Sequence, residues 1–163
     1  MANKTGKIKQ PRKIVLTSGT FDLLHLGHVR YLEEAKKAGG ENAKLIVIVA
    51  RDGTVEKRKG ERPIMPENQR RALVESLKVV DEALLGYEDF DIASVLEKIK
   101  PNIVAVGHDQ RGIEEAVYKA VAAKKLSVKV VRIGKFTVDD LDSSSKIKRK
   151  IVEAFEVEES GGN

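Results

Sequence analysis

The chain has 163 residues, 41% of them hydrophobic and 34% charged, with a formal net charge of +5 and no cysteine. Disulfides and thiolate chemistry are thereby excluded, and no run of about 18 apolar residues exists to cross a membrane. The length suits one domain with a single sizeable core, and the positive charge is too diffuse, without basic-aromatic platforms, to point to nucleic acid.

Residues 1–12 read as a flexible basic tail without the apolar stretch of a signal peptide, which points to the cytoplasm. The abundance of Lys and Glu, with few Asn or Gln, matches thermophile usage. Lys13-Ile14-Val15-Leu16-Thr17 is a β-branched apolar run of strand length. It leads into Ser18-Gly19-Thr20-Phe21-Asp22-Leu23-Leu24-His25-Leu26-Gly27-His28, and then into a helix from Val29 that stops at Gly39-Gly40. A strand-to-helix turn of this kind lies at the carboxyl edge of an α/β sheet, where ligands bind. The helix start offers unpaired N–H groups and partial positive charge, both suited to a phosphate. His25 and His28 share the first helical turn, and Gly27 lets a ligand approach the backbone. With only His108 besides and no cysteine, a zinc site of about four ligands is not indicated.

Lys44–Ala50 reads as a central parallel strand, being apolar almost throughout. Residues 57–63, with Lys57, Arg58 and Lys59 before Gly60 and Pro63, are too polar for core and read as a mobile basic loop. Pro66-Glu67 opens a helix running to Lys78 that carries Arg70. Glu82–Leu85 is a short strand, and Asp91 caps a helix to Lys98. Asn102–Val106 is a strand ending at Gly107-His108-Asp109-Gln110, followed by a helix over Ile113–Lys125 and a last strand over Val128–Ile133. Asp142-Ser143-Ser144-Ser145 supplies caps for a helix from Lys146 to about Phe155, and residues 156–163 read as a disordered acidic tail. Strands alternating with helices predict a Rossmann-like, doubly wound, parallel five-stranded sheet with helices on both faces, as a single domain over 13–155.

Gly19-Thr20-Phe21-Asp22 followed by His25-Leu26-Gly27-His28 resembles the cytidylyltransferase-like nucleotidyltransferases. The resemblance implies that the two histidines contact a nucleoside triphosphate and stabilise its transfer, with Ser18, Gly19, Thr20, Phe21, Leu26 and Gly27 around them. It also implies that Lys57 or Lys59 meets an acceptor phosphate and that Arg70 faces the site. Gly107 and Asp109 match the family's turn that contacts sugar or base. Ser144 and Ser145 in Ser143-Ser144-Ser145-Lys146-Ile147 match its second signature, which holds the outer phosphates. Phe136, after the last strand, is placed either on the base or in the core. Asp22 is expected to order the turn rather than bind metal.

Over residues 13–153 the pattern is similar to the archaeal FAD synthases of that family. It includes Val49-Ala50-Arg51-Asp52, Lys100-Pro101 and Gly107-x-Asp109-Gln110. Val138-Asp139-Asp140-Leu141 stands where relatives that make CDP-alcohols carry Arg-Thr-Glu-Gly. That branch implies ATP and FMN as substrates, magnesium or another divalent cation with the ATP, and a homodimer. With 4% aromatic residues, aliphatic side chains are expected to receive the flavin ring. A cytidylyltransferase acting on glycerol 3-phosphate and a non-catalytic nucleotide-binding module are the alternatives. Riboflavin is not expected to be consumed, since no Gly-x-x-x-x-Gly-Lys segment is present.

Overall fold

Strict alternation of inward-facing side chains decides how this sheet is covered. In strand β2 (Lys44–Val49), Leu45, Val47 and Val49 enter one buried cluster while Ile46 and Ile48 enter another. Both sets are nearly inaccessible, as expected of a strand covered on both faces. Strand β1 (Ile14–Gly19) divides Val15 from Leu16 in the same way, and β4 (Ile103–Gly107) divides Ile103 and Ala105 from Val104 and Val106.

With β3 (Glu82–Leu85) and β5 (Lys129–Ile133), these form a five-stranded sheet in the order β3-β2-β1-β4-β5. Every pairing is parallel. The structure, a computed structural model, describes residues 11–88, 91–136 and 141–160.

One face carries α1 (Leu26–Lys37), through Leu32 and Ala35, and α3 (Glu67–Glu75), through Val74. The other carries α4 (Ile92–Ile99) and α5 (Arg111–Lys124), through Val95, Leu96, Val117 and Ala120. The chain winds outward from β1 to β3 over the first face, then returns to β4 over the second. β1 therefore has neighbours reached from opposite directions, and its carboxyl end is the topological switch point. The expected doubly wound α/β domain is the fold observed, and Asp91 caps α4 by accepting the Ala93 N–H.

Two expectations are corrected. Residues 57–59, expected as part of a loop over 57–63, instead close a helix, α2 (Asp52–Lys59), which ends at Gly60 with a left-handed φ of 81°. Its start is interlocked with that of α3. The Glu67 carboxylate accepts the Asp52 N–H at 2.7 Å, and the Asp52 carboxylate accepts the Glu67 N–H at 3.3 Å. The last helix, α6, spans Ser144–Ser160, so residues 156–160 continue a helix rather than a disordered tail. The basic tail is expected over 1–12, of which 1–10 lie outside the described residues. Arg12 at its end is fixed, donating to Asn42 O and to the Asp81 carboxylate.

Candidate active site

The turn between β1 and α1 is backbone under constraint. Phe21 and Leu23 both have left-handed φ, 54° and 47°, a conformation that side chains with a Cβ adopt at a cost. Three anchors hold it. The Asp22 carboxylate accepts the N–H groups of Ile64 at 2.7 Å and Met65 at 2.9 Å, so Asp22 orders the turn as expected. Arg70 Nη1 donates to Thr20 O at 2.6 Å, and Ser144 Oγ donates to Asp22 O at 2.5 Å. The last bond joins the two signature segments across 122 positions of sequence.

Phe21 itself is 4% exposed and belongs to the core, folded back over the end of β1. A Cβ at Gly19 would stand 2.8 Å from the Phe21 ring, so glycine is required there for the ring to fold back. Leu26 projects outward, 41% exposed.

His25 is the N-cap residue of α1, and His28 lies one turn on. Their rings stack with centroids 3.8 Å apart, and Phe21 meets His28 edge to face at 5.3 Å. His28 Nδ1 accepts the backbone N–H of His25 at 3.4 Å, which places the proton of the neutral ring on Nε2. Burial, then the neighbouring His25, pushes the His28 pKa down to about 3, with Lys59 acting in the same direction against Asp22. His28 is therefore a neutral N–H donor near pH 7 rather than a cation. The pKa of His25 is lowered as well, by burial, with Asp142 opposing.

Helix α6 begins beside α1. A Cβ on Gly27 would stand 2.7 Å from Asp142 O and 2.9 Å from His25 Nδ1, so this contact between the two helix starts admits only glycine. Ser143 Oγ accepts the Lys146 N–H at 3.2 Å and its carbonyl accepts the Ile147 N–H. The N–H groups of Leu26, Gly27, Ser144 and Ser145, in the first turns of the two helices, lack carbonyl partners within their own helices. Two positive helix ends thus meet at one corner, an arrangement for polyanionic phosphate.

Gln110 closes the switch point. Its Oε1 accepts the Gly107 N–H at 2.8 Å, and its Nε2 donates to Ser18 O at 2.9 Å, bridging the ends of β4 and β1. Gly107 is buried and Asp109 exposed beside it, both at the same sheet edge as Ser18. Tyr31 reaches this edge from α1. Its hydroxyl lies 2.6 Å from Thr17 Oγ1, and burial pushes its pKa up to about 12.

Other expected site residues stand elsewhere than foreseen. Arg70 does not face open space. It is 0% exposed, with Nε on Met65 O, Nη1 on Thr20 O and Nη2 on the Asp52 carboxylate at 2.6 Å, so it positions the turn. Lys57 is exposed on α2, and its side chain makes no hydrogen bond among the described residues. Arg58 is the member of the basic run that touches the motif, donating to Thr20 Oγ1 at 3.3 Å. Phe136 is half-buried and packs on the α1-side core. Residues 138–140, which replace the arginine signature, lie outside the described residues. Sequence reasoning placed Arg58 only within the basic run and Asp142 only among the helix caps, and it did not single out Tyr31.

The Cytidylyltransferase-like family model matches residues 16–150. An FAD synthase of Methanobrevibacter smithii is 51% identical over 139 residues, 85% of this chain and 90% of that protein. An FAD synthase of Methanothermus fervidus is 48% identical over 83% of this chain and 92% of its own length. A crystal structure described as the lipopolysaccharide core biosynthesis protein from Thermoplasma volcanium GSS1 superposes with a TM-score of 0.69 at 42% identity, covering 77% of this chain and 98% of that one.

Proposed function

The chain belongs to the cytidylyltransferase-like family, and we propose that within it this protein is an FMN adenylyltransferase, making FAD and pyrophosphate from ATP and FMN. The observation that carries the reading is the 43–51% identity, over most of the chain, to a series of archaeal FAD synthases. The corner between α1 and α6 supports it, since its chemistry is that of a triphosphate site.

A phosphate monoester is already largely dianionic near pH 7. A terminal oxygen of the FMN phosphate attacks the α-phosphorus of ATP in line. One P–O bond forms to the flavin phosphate, and the bond to the bridging oxygen breaks with its electron pair leaving on pyrophosphate. No general base is required, so positioning and charge stabilisation supply the rate. His28 Nε2–H, His25 and the helix N–H groups are assigned to the triphosphate, with Ser144 and Ser145 at its outer end. Arg58 is assigned to the reacting phosphates. Gly107 and Asp109, at the other side of β1, are assigned to the adenosine.

A divalent ion such as magnesium would arrive on the triphosphate oxygens. Among the described residues no three His, Asp or Glu side chains converge on a cation site. The apolar void between the sheet and α4–α5, lined by Ile48, Val106 and Val117 among others, holds only about 40 Å³ and belongs to the core, so it is not a slot for the flavin ring. None of the described helices is long and apolar enough to cross a membrane. A homodimer is proposed on the exposed Ile151, Val152 and Phe155 of α6, which a second copy would cover.

Purified protein given ATP, FMN and magnesium should release pyrophosphate and form FAD, and should leave riboflavin untouched. Efficient CDP-glycerol formation from CTP and glycerol 3-phosphate, with no FAD, would overturn the substrate assignment. Sedimentation velocity tests the dimer.

A further inference from the structure

Two buried side-chain atoms among the described residues have no hydrogen-bond partner: Nδ1 of His25 and Oδ2 of Asp142. They belong to one corner of the molecule. The point where a Gly27 Cβ would stand is 2.9 Å from that same His25 Nδ1 and 2.7 Å from the Asp142 carbonyl. The Asp142 side chain is 2% exposed, and its other oxygen, Oδ1, accepts from Lys146 Nζ at 2.7 Å. The carboxylate is near enough to oppose the effect of burial on His25. A buried imidazole nitrogen and a buried carboxylate oxygen, both unpaired, are complementary across a single proton.

We propose that Asp142 is the positioning residue for His25, accepting its Nδ1 proton so that His25 meets the triphosphate as an imidazolium with Nε2–H forward. The inference rests on the nucleotidyl-transfer reading but not on the identity of the acceptor. The stacked rings 3.8 Å apart cannot both carry charge at neutral pH, and the surroundings decide which one does. His28 faces His25, Asp22 and Lys59, and its Nδ1 is occupied by the His25 N–H, so it stays neutral. His25 faces Asp142, which in turn faces Lys146 and Lys135. Without nucleotide, burial prevails and His25 is neutral near pH 7. When the triphosphate arrives, a second negative group joins Asp142, and one proton passes from buffer to His25.

The test is calorimetric titration of the full-length protein with the α,β-methylene analogue of ATP and magnesium, at pH 7.5, in two buffers of different ionisation enthalpy. Wild type should take up about one proton on binding, and Asp142→Asn close to none, with affinity weakened about tenfold. Asp142→Glu should recover part of the uptake. Lys146→Met, which leaves the carboxylate in place, should retain it. Equal uptake in Asp142→Asn and wild type overturns the inference. So does a Lys146→Met variant that behaves like Asp142→Asn, because Asp142 would then act only by anchoring α6. If Asp142→Asn does not fold, nitrogen-15 shifts of His25 in the wild-type complex decide: both ring nitrogens protonated supports the dyad, and a neutral ring overturns it. Failure of the analogue to bind wild type overturns the nucleotidyl-transfer reading as well, whereas binding without proton uptake overturns the dyad alone.

Discussion

The buried guanidinium of Arg70 donates to the backbone carbonyl of Thr20 at 2.6 Å, tying α3 to the turn that carries the histidines. The same group also bonds Met65 O and the Asp52 carboxylate. Arg70→Met keeps most of the volume but strands three acceptors, and removing one partner of a buried pair costs about 3–5 kcal/mol. The expected result is a urea-unfolding free energy lower by about 3 kcal/mol or more. Arg70→Lys should recover little, since one ammonium cannot serve three acceptors in different directions. A midpoint for Arg70→Met equal to wild type would return the residue to the site-facing role foreseen from sequence.

Gly27 separates catalytic geometry from bulk stability. Its Cβ would sit against Asp142 O and His25 Nδ1, so Gly27→Ala must push α6 or the His25 ring away. Activity should fall at least about 100-fold, the scale of a misplacement near 1 Å in a positioned site. Gly53, in α2, has nothing within 4 Å of its would-be Cβ. Gly53→Ala should therefore be neutral or stabilising by up to about 1 kcal/mol, with activity retained. Steady-state rates and thermal melts of the two variants check the contrast.

How much of this was legible in the chain depended on whether partners were near in sequence. The strands were, because alternating β-branched residues bounded by turn residues mark them directly; Glu82–Leu85 was placed to the residue. So was the histidine pair, whose spacing is local. Arg70 was not. It sits in the polar turn Asn68-Gln69-Arg70-Arg71, and its acceptor Thr20 is 50 positions away. Helix α2 was missed because it buries only Val55 and is fixed by a reciprocal bond to Glu67, which no periodicity reveals. Gly60 was a usable stop signal, read instead as a loop breaker. The end of α6 is exposed from Arg149 through Val157, so no apolar pattern announced it.

The basic run on α2 divides by geometry. Arg58 reaches Thr20 Oγ1, whereas Lys57 is exposed and its side chain makes no hydrogen bond among the described residues. Arg58→Ala should raise KM for the phosphate substrates or lower kcat by roughly tenfold, the weight of one charge-assisted contact. Lys57→Ala should change either by less than about twofold, as for an exposed charge. Initial-rate kinetics across both substrates measure this, and the reverse ranking would restore Lys57 to the role its family position implies.

The neutral His28 makes an acid-side stability prediction with a definite sign. Its folded pKa of about 3 lies below the ordinary 6.5, so between those values the unfolded chain binds a proton that the folded chain does not. Stability from this group is complete above about pH 6.5 and is lost progressively as pH falls toward 3. The full effect is on the order of 5 kcal/mol. The lowered His25 pKa adds to it in the same direction. Carboxylates with lowered values, such as Asp81, lose their contribution only at more acid pH, so the interval from 6.5 to 4.5 reports mainly on histidine. His28→Asn keeps an acceptor for the His25 N–H and removes the titration. Its melting temperature should vary less than that of wild type across that interval, with the two curves converging toward pH 4.5. A saturating concentration of ATP should flatten the wild-type curve in part, because bound triphosphate favours a protonated His25 in the folded state. Parallel curves for the two proteins without nucleotide would show that His28 titrates in the folded state as it does in the unfolded chain.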